Sequence, residues 1–205
     1  MPVSPINKAG SFATFAVLSG GSPIPDTIRV SSIWVQSGIN MPSVAQIVLF
    51  DGSPAERTFD ISSSNLFVPG GHIAIEAGYY GNNQLVFKGN VNAQNIRINQ
   101  TEASTLTVEC SNPHEENRET DTNPVLVVGF GESILDFNAS YSRKDGANKV
   151  YGTVNFQGAN IAEPGKYLQL EGLGDRFNGV HLMSAVVHLI KDGVWTTEVT
   201  IGLPG

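Results

Sequence analysis

Along much of the chain the apolar positions recur at every second residue, the period of a strand with one face on a core and the other in water. His72-Ile73-Ala74-Ile75-Glu76-Ala77 puts Ile73, Ile75 and Ala77 on one face, and Thr105-Leu106-Thr107-Val108-Glu109-Cys110 does the same with Leu106, Val108 and Cys110. Further on, Val154 and Phe156 alternate with Asn155, and Leu168 and Leu170 with Gln169. Trp195, Thr197, Val199 and Ile201 alternate with Thr196, Glu198 and Thr200. Each segment is predicted to be a strand. Between the strands lie residues that reverse a chain, because Gly and Asn tolerate positive φ and Pro fixes φ. They are Ser19-Gly20-Gly21-Ser22-Pro23, Asp51-Gly52-Ser53-Pro54, Pro69-Gly70-Gly71, Gly81-Asn82-Asn83, Pro164-Gly165 and Lys191-Asp192-Gly193. The last reads as a hairpin tip.

Helical period is nearly absent. Leu182, Ala185, Val186 and Leu189 fall on one helical stripe, but Val180 to Ile190 is short, lies between Gly179 and Gly193 and is rich in β-branched residues, so it reads as a buried strand. A short turn near Ser62 to Leu66 is the other helical candidate. Strands at short spacing with turns between them predict an all-β antiparallel barrel or sandwich. Two stretches interrupt the pattern. Ser111 to Asn123 contains no large apolar residue and reads as a linker or loop, and Ser140 to Lys149, with Arg143, Lys144, Asp145 and Lys149, is a second polar break.

Composition then narrows the function. The chain has 205 residues, long enough to bury a sizeable core, and Gly and Pro fill 33 positions, in keeping with frequent turns. Twelve Lys and Arg against nineteen Asp and Glu give a net charge of −7, which argues against a phosphate-binding face and sets nucleic acid aside as a partner. A single cysteine, Cys110, excludes an intramolecular disulfide framework and a multi-cysteine zinc site. No apolar run reaches the roughly 18–20 residues of a helical membrane span, and no basic segment followed by an apolar stretch opens the chain.

Candidate chemistry is sparse. His114-Glu115-Glu116 lacks the second histidine four residues on that a zincin helix needs. His72, His181 and His188 are dispersed among strands, where edge or surface positions are expected of them, with no carboxylate at ligand spacing. Ser133 in Gly129-Phe130-Gly131-Glu132-Ser133 is out of order for a nucleophile elbow, and Gly172-Leu173-Gly174 reads as a turn, not a phosphate loop. Asp51, Glu56 and Asp60 lack the spacing of a calcium loop. Phe59, Leu66, Phe67 and Trp195 read as core, while Tyr79-Tyr80 straddles both faces of a strand, so one ring is expected outside. No catalytic, metal or cofactor residues emerge.

The order of features from Phe12 to Cys110 resembles the first barrel of the VgrG-type spike proteins, the hub of contractile injection systems and phage tails. The residues concerned are Pro42-Ser43-Val44-Ala45, Leu49-Phe50-Asp51-Gly52, Phe59-Asp60-Ile61-Ser62, Phe67-Val68-Pro69-Gly70, Ala77-Gly78-Tyr79, Phe87-Lys88-Gly89 and Leu106 to Cys110. Gly131 to Phe137, Phe156-Gln157-Gly158, Pro164-Gly165, Leu170 to Gly179, and Trp195 with Thr197-Glu198-Val199 and Gly202-Leu203 are similar to the second barrel. The resemblance implies two antiparallel barrels of the tail-hub type, over 1–112 and 124–205, with a polar linker at 113–123 and a junction at 140–150. It implies a structural, non-enzymatic homotrimer without cofactors. Two barrels per chain would form a pseudo-sixfold ring that adapts a trimeric spike to a hexameric inner tube. Its partners would be copies of itself, the inner tube protein, and spike tip and baseplate proteins, in a type VI secretion-like or phage tail-like particle that is assembled in the bacterial cytoplasm and would be either extracellular or released. Family members are longer at both polar breaks and carry a needle beyond the second barrel, so the resemblance leaves two readings, a minimal hub or joined pieces of a longer chain for which 205 residues is a lower bound. The alternative from another class is a carbohydrate- or surface-binding β-sandwich, which requires clustered exposed aromatics, whereas the aromatics here are scattered among alternating core positions.

Overall fold

The computed structural model describes residues 2–5, 12–99, 101–113, 122–144 and 146–203. Among these residues the regular structure is entirely β, with thirteen strands. They are β1 (Ala13–Ser19), β2 (Ser22–Pro23), β3 (Val30–Gly38), β4 (Met41–Phe50), β5 (His72–Tyr79), β6 (Asn82–Arg97) and β7 (Thr105–Asn112), then β8 (Pro124–Gly129), β9 (Ile134–Lys144), β10 (Ala147–Gln157), β11 (Tyr167–Glu171), β12 (Gly179–Lys191) and β13 (Val194–Ile201). Eleven form one antiparallel path, β2-β1-β5-β6-β7-β4-β3-β12-β13-β10-β9. Strand β11 branches from β12, and β8 joins β11 in a parallel pairing that Val3 extends through a bridge to Leu126. The all-β, largely antiparallel architecture expected from the period-two pattern is what the chain adopts.

The alternation does the folding. Ile73, Ile75 and Ala77 of β5 and Leu106, Val108 and Cys110 of β7 are all buried, as their spacing predicts. Each large aliphatic side chain so buried contributes roughly 1.5–3 kcal/mol. The apolar faces converge on two cores. One gathers Val17, Ile33, Ile47, Phe67, Ile75 and Leu106 with their neighbours, and the other Leu126, Val154, Phe156, Leu168, Met183 and Val199. Strands β12 and β13 serve both: Met183, Val186, Val199 and Ile201 enter the second core, while Ile190 and Trp195 enter the first.

Several expectations are corrected. Val180 to Ile190 is a strand, but it is half-buried, with Val180 and Leu189 exposed. Ser62 to Leu66 makes successive turns, with Ser63 N–H donating to Phe59 O and Ser64 N–H to Ile61 O, and forms no helix. At Gly81 the turn lies one residue earlier than expected: Tyr79 pairs with Asn82, so Tyr80 (φ 55°) and Gly81 (φ 79°) make the reversal and both asparagines are already strand. Ser111 and Asn112 end β7 instead of opening a linker, and residues 114–121 of that polar stretch lie outside the described residues. The polar stretch at 140–149 belongs to the β9–β10 hairpin, in rung-by-rung register from Tyr151↔Ser140 to Ala147↔Lys144.

Candidate functional site: the seam between the two cores

The β12–β13 hairpin carries the second half of the chain into the first core. Its tip is tight because Asp192 (φ 52°) and Gly193 (φ 75°) both take left-handed backbone, the geometry that matches strand twist in a two-residue turn. Ala13 N–H donates to Gly193 O at 3.0 Å, tying the start of β1 to this tip. Just past the turn Trp195 is buried, stacked on Tyr79 of β5 with ring centroids 5.5 Å apart and 29° between planes. Gly158, after β10, lies against the same indole and donates its N–H to Trp195 O at 2.9 Å. Burial pushes the Tyr79 phenol above its ordinary range, an effect partly offset by Gln157 and the Gly158 backbone.

A buried polar pair continues the seam. Thr197 Oγ1 accepts Ala159 N–H at 3.0 Å and shares a hydrogen bond with Nδ1 of His188, also 3.0 Å. Burial lowers the pKa of His188 to about 4, so the ring is neutral at ordinary pH, 5.7 Å from Trp195. Next in the chain, Asn160 Nδ2 donates to Gln84 Oε1 of β6. Across the seam, therefore, Trp195 of β13 stacks on Tyr79 of β5 and Asn160 bonds Gln84 of β6, while Gly158 packs behind the indole. Thr197 and His188 do set a hydroxyl beside a neutral imidazole, but both side chains are buried, and the pair holds the strands together from inside the core.

The remaining candidates have structural places. Asp51 is buried, and its carboxylate accepts N–H groups from Gly52 (2.9 Å), Ile61 (3.2 Å) and Ser62 (2.8 Å), which holds the loop after β4 closed. Glu56 and Asp60 are exposed and not joined to it. Ser133 Oγ accepts Gly129 N–H within a turn, and Gly172-Leu173-Gly174 opens another turn in which Leu173 N–H donates to Asn178 Oδ1. His72 bonds Asn90, His181 Nε2 bonds the Phe177 carbonyl, and His114, Glu115 and Glu116 lie outside the described residues. Phe67 and Trp195 are core, Phe59 and Leu66 are half-buried, and Tyr80 is the exposed ring of the tyrosine pair. His188 contradicts the edge-or-surface expectation for strand histidines. Its period-two spacing with Val186 and Ile190 was the available signal. Asp51 lies in the turn that its sequence predicts and, instead of a metal, its carboxylate takes the amides of its own loop, distant partners that spacing alone does not reveal.

No three His, Cys, Asp or Glu side chains are placed to hold a metal ion among the described residues. A cleft of about 170 Å³ between β1, β3 and the β12–β13 tip, lined by Phe15, Phe50, Ile190 and Lys191, is smaller than the roughly 300–1,000 Å³ of small-molecule sites.

The architecture defined by these two cores is that of the tail proteins. The chain superposes on the tail protein from Neisseria meningitidis MC58 with a TM-score of 0.62 at 8% identity, over 93% of this chain and 96% of that one. It matches the 43 kDa tail protein of prophage MuSo2 from Shewanella oneidensis with a TM-score of 0.60 at 8% identity, over 94% and 97%. A third similar structure is the E. coli c3393 protein, described as a component of the type VI secretion system with structural similarity to the T4 bacteriophage tail proteins gp27 and gp5; here the TM-score is 0.54 at 9% identity, over 92% of this chain and 77% of that one. The tail-hub resemblance seen in the sequence therefore holds at the level of fold. No curated protein matches the chain. The chain belongs to the Alg8 N-terminal domain family, whose model matches residues 9–117 and 140–192.

Proposed function

We propose that this chain is a structural, non-enzymatic hub protein of a contractile, phage tail-like injection particle. Three copies assemble into a ring, each giving one barrel from residues 1–112 and one from 124–205, joined by the polar linker at 113–123. Six barrels in pseudo-sixfold order match a hexameric inner tube on one side and carry a spike on the other. Its partners are its own copies, the tube protein, and spike tip and baseplate proteins, in a particle that assembles in the bacterial cytoplasm and is extracellular or released. The observation that carries the reading is the likeness of fold to tail proteins over more than nine-tenths of the chain, 93% and 94% in two superpositions. The seam supports it, because a ring needs two barrels held at a constant angle, and stacked, hydrogen-bonded side chains supply that rigidity. Light scattering at high concentration, with capture by purified tube protein, tests it. A trimer that binds tubes is expected; a monomer that ignores them overturns the reading.

A further inference from the structure

Strand β10 pairs with β13 only from Gly152 onward, where Gly152 faces Ile201. Before that point β9 and β10 continue for five rungs, from Tyr151↔Ser140 to Ala147↔Lys144, paired with each other and, among the described residues, with no other strand. Most of this ribbon is solvent-exposed on both faces: Ser140, Ser142, Arg143, Ala147, Asn148 and Lys149 are all exposed. A two-stranded hairpin in water is marginally stable at best, and an open edge is a template for another chain. Among the described residues, support comes at the base, where Phe177 meets Phe137 and Tyr141 edge-on and Arg176 lies over the Tyr141 ring at 5.8 Å.

Charge says what covers the ribbon. Residues 140–151 hold Arg143, Lys144 and Lys149 against one carboxylate, Asp145. That segment is therefore +2, leaving −9 on the rest of a chain whose total is −7. A basic arm held out from an acidic body is complementary to the body of another copy. We infer that the β9–β10 ribbon is the element by which one copy grips the next, with Arg143 and Lys149 meeting acidic surface on the neighbour and the open β9 edge taking up its backbone. This rests on the reading of the chain as a self-assembling hub, to which it adds the gripping element.

The test uses the full chain, comparing wild type with the double variant Arg143→Glu, Lys149→Glu by sedimentation velocity. Hydrogen exchange of amides 140–151 is read in dilute and concentrated samples, and circular dichroism establishes that the variant folds. Self-association should weaken roughly tenfold or more in the variant, and the wild-type ribbon amides should gain protection on concentration. Equal association by both proteins, with no change at the ribbon, overturns the ribbon while leaving the hub reading intact. Wild-type protein that stays monomeric at its highest soluble concentration overturns both.

Discussion

Gly158 lies so close to the indole of Trp195 that a Cβ built on it would stand 2.0 Å from Cδ2, inside any permitted contact. Neither side can give way, since Trp195 is clamped from the opposite half by Tyr79 and Gly158 is fixed by its N–H bond to the Trp195 carbonyl. Gly158→Ala should therefore cost about 2–3 kcal/mol. Urea titration followed by tryptophan fluorescence measures it, and an unchanged midpoint would mean that the seam is slack.

His188 should make stability fall with acid in a defined window. The folded ring protonates at about 4 because it is desolvated, whereas the unfolded chain takes up the proton near the ordinary 6.5. Above pH 6.5 neither state binds it, so the histidine adds no pH dependence. Between 6.5 and 4 the unfolded state binds more protons and stability drops by about 3 kcal/mol in all. His188→Asn keeps a polar atom for Thr197 and cannot titrate there. Its loss of stability between pH 7 and about pH 4.5 should be smaller than that of wild type by about 2 kcal/mol, measured by denaturant unfolding at both values.

Asp51 satisfies three backbone donors at once, at Gly52, Ile61 and Ser62. Asp51→Ala removes every acceptor and should cost about 2–3 kcal/mol, and Asp51→Asn, which keeps one oxygen, should cost less. Exchange of the Ile61 and Ser62 amides should quicken in the alanine variant well before global unfolding.

Cys110 is buried in the first core, and desolvation pushes its thiol up to about 12. Very little thiolate exists near pH 8, so an aromatic disulfide reagent should react only through unfolding. The labelling rate should rise in step with the loss of stability in Gly158→Ala. Fast labelling of the native protein would show that this core opens locally.

Much of the architecture was legible because period-two alternation is imposed by burial on one face: Ile73, Ile75 and Ala77, or Leu106, Val108 and Cys110, could have been placed no other way. Alternation also marked His188 as inward, but histidine's polarity outweighed the spacing, and Thr197, its partner, is nine residues away across a hairpin. The seam was illegible for the same reason. Tyr79, Gly158 and Trp195 each look like ordinary strand or turn residues, and only the crossing of β12 and β13 between the two cores brings them together. The polar run at 140–149 read as a break because neither face of the free ribbon is buried, so strand pairing there leaves no hydrophobic trace.

The proposed role, a ring that joins a tube to a spike, is tested by electron cryomicroscopy of the protein mixed with its inner tube. Three copies forming six barrel-shaped lobes in a ring capping one end of the tube are expected. Single copies dispersed in the background, with bare tube ends, would contradict it.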